Sequence, residues 1–187
     1  MSNFKVEINQ AYDASDPLEM DEGIVSQFFC LHRSYRLGHF QPATPEECME
    51  MIKEQGTKLF LLPLYMYDHG SITISLQPFN CRWDSGQLGW VLVTKERVKK
   101  IMGWKRITSK RKERVMKFIE SEVKMYDDYL RGDVYYYEVY KDEELHNSCW
   151  GYIGDHDSSG LKEDCIDFLR SEGLSEEDAE ELFDQAL

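Results

Sequence analysis

Hydrophobic positions along the 187-residue chain switch between two periods, and the switches place most of the elements. Residues 71–76 alternate Ile72, Ile74 and Leu76 with Ser71, Thr73 and Ser75, the period-two pattern of a half-buried strand. Residues 59–67 are a nearly unbroken apolar run, which fits a central strand. Pro63 removes one ladder donor there and points to an edge or a bulge. Asp68-His69-Gly70 is a turn between the two, residues 78–86 are a loop, and residues 87–93 are a third strand, giving an antiparallel meander. Residues 134–141 and 146–153 read as a hairpin around Asp142-Glu143-Glu144.

Helical periods occupy the intervals. Thr44-Pro45-Glu46-Glu47 is a capping box with proline at the first helical position. Cys48, Met51 and Ile52 form the apolar stripe, and Gly56 stands where the helix ends. Thr94 caps a helix over residues 95–102 closed by Gly103. Thr108 caps a longer one whose Val115, Phe118, Ile119, Val123, Tyr126 and Leu130 share a face, ended by Gly132. Residues 161–172, Gly173, and Ser175 with Asp178 three positions on predict a closing helical hairpin. The first forty residues carry less signal: 13–22 are acidic and turn-rich, and 24–35 fit either a short helix or an irregular apolar segment. The pattern predicts an α+β fold in a single domain, with an antiparallel sheet of about five strands and helices packed on one face. Residues 1–155 would form the core and 156–187 an acidic C-terminal helical hairpin packed on it.

A chain of this length buries roughly 70% of its unfolded surface, so neither metal nor disulfide is required for folding. The five cysteines (Cys30, Cys48, Cys81, Cys149, Cys165) are an odd number with no CxxC spacing, which favours free thiols and gives no reason to expect a cofactor or structural metal. No apolar run approaches a membrane span and no signal peptide opens the chain, so a cytoplasmic protein without membrane contact is expected.

Charge sharpens the picture. The net charge is −13, yet residues 95–117 hold eleven Lys/Arg against Glu96 and Glu113, while residues 155–187 hold twelve acids against Lys162 and Arg170. Such a molecule is strongly dipolar. Its acidic parts repel nucleic acid and suit partners with basic grooves. Its basic run, with Trp104 ahead of Lys105 and Arg106, is a candidate for phosphate or RNA contact through Lys99, Lys100, Lys105 and Arg106. The acids at Asp13, Asp16, Glu19, Asp21 and Glu22, and those of the C-terminal hairpin, are either solvated faces or carboxylates spaced to imitate phosphates.

Catalytic chemistry has one candidate. Asp68, His69 and Cys81 supply an acid, a base and a thiol within reach of one another if strands 59–67 and 71–76 pair. The competing reading makes Asp68 and His69 a turn and Cys81 a loop filler. Asp84-Ser85-Gly86 after Trp83 lacks the glycines of a phosphate loop and reads as a tight turn in which Asp84 ties following backbone N–H groups.

Four blocks carry a family resemblance. They are Asp16-Pro17 through Cys30-Leu31-His32-Arg33-Ser34-Tyr35-Arg36-Leu37-Gly38; Leu62 to Gly70 with Pro78-Phe79-Asn80-Cys81-Arg82-Trp83-Asp84-Ser85-Gly86-Gln87-Leu88-Gly89; Glu122 to Gly132 with its Tyr126-Asp127-Asp128-Tyr129-Leu130-Arg131-Gly132; and Ser148-Cys149-Trp150-Gly151-Tyr152-Ile153-Gly154. Together they resemble a family of small proteins encoded in phages, plasmids and other bacterial mobile elements, similar to a broad anti-CRISPR family directed against Cas9. Here His69-Gly70-Ser71 replaces the family's usual His-Ser-Gly, and the resemblance stops near residue 155. It implies a counter-defence protein acting in the bacterial host, an inhibitor that binds a host nuclease or ribonucleoprotein rather than an enzyme. Partner contacts would come from Asp13, Asp16, Glu19, Asp21, Glu22, Asp68, His69, Arg82, Trp83 and Asp84. The resemblance brings no catalytic residues with it.

Overall fold

The computed structural model describes residues 3–19 and 23–187. In chain order the elements are β1 (Phe4–Gln10), β2 (Gln27–Cys30), α1 (Pro45–Glu54), β3 (Lys58–Asp68), β4 (Ile72–Ser75), β5 (Ser85–Thr94), α2 (Lys95–Met102), α3 (Ser109–Arg131), β6 (Val134–Lys141), β7 (Glu144–Ile153), α4 (Leu161–Ser171) and α5 (Glu176–Asp184). The class is α+β, as the periodicities predict. The strands do not form one sheet of five, however. They divide into a four-stranded sheet ordered β2-β5-β3-β4 and a three-stranded sheet ordered β1-β6-β7, both antiparallel.

Contacts partition the chain accordingly, with Asp16–Arg131 as one compact unit and Met1–Ser15 with Gly132–Leu187 as the other. This division falls elsewhere than residue 155. The reason is β1, whose residues Phe4 to Gln10 pair with Lys141 to Tyr135 and so join the N-terminus to the C-terminal third.

In the Asp16–Arg131 unit the four-stranded sheet is covered on both faces. Val115, Ile119, Val123 and Tyr126 of α3 pack with Phe28, Leu64, Ile74, Val91 and Val93. Cys48 and Ile52 of α1 pack with Phe29 and Leu92 on the opposite side. Helices on one face were expected, but successive residues Phe28/Phe29 and Val91/Leu92 are all apolar, so each face needs its own cover. A bulge adjusts the pattern. Leu64 pairs with Gly89 and Tyr65 with Gln87, leaving Leu88 as an extra residue on β5. Strict alternation would send Leu88 to the α1 side with Leu92; the bulge returns it to the α3 cluster. Pro63 is accommodated nearby, because β4 pairs only with Tyr65 to Asp68 and leaves that edge of β3 uncovered at Pro63.

Three local features match the sequence reading closely. Thr44 accepts from Glu47 N and Thr94 from Arg97 N through their side chains, and Gly103 closes α2 in the left-handed conformation. Residues 27–30, within the segment left between helix and irregular chain, are instead β2, paired with β5 from Gln27↔Leu92 to Cys30↔Gly89.

The second unit is simpler. Val6, Tyr137, Val139 and Tyr152 present one face of the β1-β6-β7 sheet to Leu161, Cys165 and Leu169 of α4 and to Ala179 and Phe183 of α5. Asp142 and Glu143 both take positive φ (51° and 71°), so the β6–β7 turn has two residues rather than the three expected, and Glu144 already belongs to β7. Among the described residues no helix is long and apolar enough to cross a membrane.

Candidate functional site

The loop between β4 and β5 is fastened to the end of β3 by one residue, Asp84. Its carbonyl accepts from Asp68 N at 2.9 Å. Its Oδ2 lies 3.4 Å from His69 Nδ1 and accepts from Cys81 Sγ at 3.6 Å. Ser85 Oγ donates to the Cys81 carbonyl, and the Tyr67 ring sits 6.0 Å from the His69 ring and 5.8 Å from that of Phe79. The sequence reading gave Asp84 a different task, tying the backbone N–H groups that follow it. The observed carboxylate bridges the two sides of the loop instead.

This bracing holds Arg82 and Trp83 at the tip, both exposed, with Trp83 at 90% of its full accessibility. Free tryptophan rings on monomer surfaces are uncommon, and Trp and Arg are the residue types that dominate binding hot spots. The loop is thus a preorganised presenter of an aromatic–cationic pair.

The same geometry does not assemble the thiol relay as drawn from sequence. A nucleophile relay places the imidazole between thiol and carboxylate, so that the base takes the thiol proton and the acid orients the base. Here His69 Nδ1 and Cys81 Sγ both meet Asp84 Oδ2, so the thiol's hydrogen bond goes to the carboxylate. Asp68 contributes a half-buried backbone donor to this arrangement. Elsewhere Cys30 and Cys165 are buried, with burial pushing each thiol up to about 12, outside the range of an activated nucleophile. Among the described residues no group of three or more His, Cys, Asp or Glu is arranged to hold a metal ion.

The N-terminal acids are not equivalent. Asp16 is turned inward: Oδ1 accepts from Leu18 N at 2.8 Å, Oδ2 faces the Tyr126 hydroxyl at 3.5 Å, and its carbonyl accepts from Glu19 N. It closes a turn, so its carboxylate is less free to meet a partner than those of exposed acids. Asp13 and Glu19 are exposed; Asp21 and Glu22 lie outside the described residues.

The basic run occupies α2, the connection to α3, and the first turns of α3. Lys99, Lys100, Lys105 and Arg106 are all exposed. Trp104 is not an open platform for a base. The Arg111 guanidinium sits 4.8 Å from its ring centroid and that of Arg114 at 5.9 Å, while Arg111 Nη1 donates to the Arg106 carbonyl at 2.6 Å. Sequence spacing gave no sign of this stack, although Arg111 and Trp104 are seven residues apart.

Two further carboxylates lie in the third resemblance block, where sequence gives them no role. Glu122 of α3 accepts from Val25 N at 2.7 Å and Ser26 N at 2.9 Å, and Asp127 accepts from Ile74 N at 2.6 Å. Burial raises both above the ordinary carboxylate range. They fasten the chain entering β2, and β4, to the long helix. Their roles are structural.

Fold and site together define an α+β protein with a braced, aromatic-tipped loop and no assembled catalytic relay among the described residues. Comparison with protein-family models, curated proteins and solved structures gives no match to this chain.

Proposed function

We propose that this chain is a stoichiometric, non-catalytic inhibitor that binds a host defence nuclease of the Cas9 type. One observation carries the binding reading: Trp83 stands 90% exposed beside Arg82 on a loop that Asp84 ties to Asp68, His69 and Cys81. A rigid aromatic anchor loses little conformational freedom when it is buried by a partner, so most of its contact energy survives as affinity. The target class rests on the family resemblance and on charge. A nuclease guided by RNA holds its nucleic acid in positively charged channels, and a partner whose residues outside 95–117 sum to −22 is steered toward them. Exposed Asp13 and Glu19 belong to that acidic surface.

The test is a titration. Purified Cas9–guide complex at a concentration well above the Kd is mixed with graded amounts of this protein, and cleavage and co-purification are measured together. Inhibition complete near one equivalent, with a stable complex, is the expected result. Loss of many nuclease equivalents to a trace of the protein would make it an enzyme, and neither binding nor inhibition would remove this target.

A further inference from the structure

The basic run is electrostatically costly where it stands. The first turn of α3 contains no acid and carries Lys110 and Arg111, with Lys112 next, at the helix end where the macrodipole already places positive charge. Lys110, Arg114 and Lys117 follow at i, i+4 and i+7, so like charges share one face of the helix, an arrangement that destabilises it further. Glu113 is the single acid between residues 97 and 119. Among the described residues, the side chains of Lys100, Lys105, Arg106, Lys110, Lys112 and Lys117 form no ion pair. A solvated helix face usually mixes signs evenly; this one sets Glu113 alone against Lys110, Arg114 and Lys117.

The guanidinium groups are also positioned. Arg111 is fixed between the Trp104 ring and the Arg106 carbonyl, and Arg114 lies over both Trp104 (5.9 Å) and Phe118 (5.7 Å). Planar, always-charged forks held in place without a carboxylate are suited to phosphate oxygens. We infer that residues 95–117 form a second binding surface, for the phosphate backbone of duplex nucleic acid, separate from the Arg82–Trp83 loop. The duplex is favoured over a single strand because the arginines already occupy Trp104. Single-strand binders need bare aromatic faces on which bases stack, and this ring is committed. Readout should therefore be independent of sequence, since backbone contacts alone carry none.

Fluorescence anisotropy with a labelled 20-base-pair DNA duplex tests this on the full chain. With about five phosphate contacts, log Kobs should fall with log[salt] at a slope of about −4.5, which is roughly a 500-fold loss between 50 and 200 mM salt. The variant K99Q/K100Q/K105Q/R106Q, all exposed positions, should flatten the slope to about −1. Lys110→Glu separates function from folding: it should raise Tm, by relieving the helix dipole, while weakening the duplex. The inference falls if no duplex binds at 50 mM salt or if the fourfold variant keeps the original slope. It also falls if Lys110→Glu binds unchanged, if a 20-nucleotide single strand binds more tightly than the duplex, or if polyglutamate competes as well as the duplex.

Discussion

Trp83→Ala separates a presented anchor from a packed residue. Because only a tenth of the side chain's accessibility is lost in the folded chain, truncation removes almost no internal contact. Stability should stay within about 0.5 kcal/mol, the range of surface substitutions away from packed features. In a complex the balance reverses. An indole going from this exposure to full burial removes about 200 Å² from water, and at about 25 cal/mol/Å² that is an upper limit near 5 kcal/mol. Ordering and imperfect desolvation consume part of it, and measured anchors of this kind fall at about 2–4 kcal/mol. Trp83→Ala should therefore weaken the nuclease complex by about 30- to 1,000-fold. The assay is a competition titration against wild-type protein, with thermal unfolding run on the same preparations. A variant that unfolds like wild type and binds within threefold of it would refute the loop as anchor. Asp84→Asn complements this by loosening the brace without removing the ring, and should give a smaller loss of affinity in the same direction.

Two further predictions concern the scaffold. A Cβ added at Gly89 would lie 1.9 Å from the Phe29 carbonyl oxygen, a backbone atom of the paired strand, whereas one at Gly86 meets nothing within 4 Å; in urea unfolding Gly89→Ala should cost about 3 kcal/mol, the upper end for overpacking, and Gly86→Ala little. Glu122 is raised chiefly by burial, so its contribution to stability is fully present below the ordinary carboxylate value and is lost as pH rises through the raised one. Glu122→Gln, close in shape and hydrogen bonding to the protonated carboxyl, should cost no more than about 1 kcal/mol in acid, and any deficit should narrow toward neutral pH; a deficit that widens instead would contradict the burial account.

How much of this was legible in the sequence depended on distance along the chain. Helix ends were read from Thr44, Thr94, Thr108 and their closing glycines because caps act over three or four residues. The hairpin partners β6 and β7 were likewise local. By contrast, β1 has a clean alternation of Phe4, Val6 and Ile8, but its partner β6 begins at Val134, and no local rule assigns it to a sheet. β2 was hidden for another reason: all four of its residues are buried, so it shows no alternation at all. At the site, the residues of the 67–84 cluster were identified but their order was not. Whether Asp84 or His69 faces Cys81 depends on the fold of the loop, and that order decides between a relay and a brace. Glu122 reaches Val25 across 97 positions, beyond any spacing rule.

The two charged segments show how local consistency sorts structure from function. The acids of the first turn of α5 obey the helix rules, although Glu176, Glu180 and Asp184 repeat at i, i+4 and i+8 as like charges. Glu176, Glu177 and Asp178 fill its first turn, where the dipole favours them, and Ser175 accepts from Asp178 N as its cap. Lys162 reaches Asp184 at 3.5 Å near its end. The first-turn carboxylates are accounted for by the hairpin they build, whereas Glu181 and Asp184 stand in its last turn, where the dipole opposes them. Within the 95–117 run, α2 keeps Glu96 in its first turn and Lys99 and Lys100 in its last, but the start of α3 breaks the rules, with cations at the wrong helix end, like charges in register, and a tryptophan spent on bracing arginines. Trp83 breaks a different one by leaving a large apolar ring in water. Where residues oppose the local preference and nothing inside the chain offsets the cost, the compensating interaction lies outside it. Trp83 and the α3 cations fall within Asp16–Arg131, while the exposed Tyr12 and Trp150 rings and the α5 acids fall in the other unit, so partners should be sought on both.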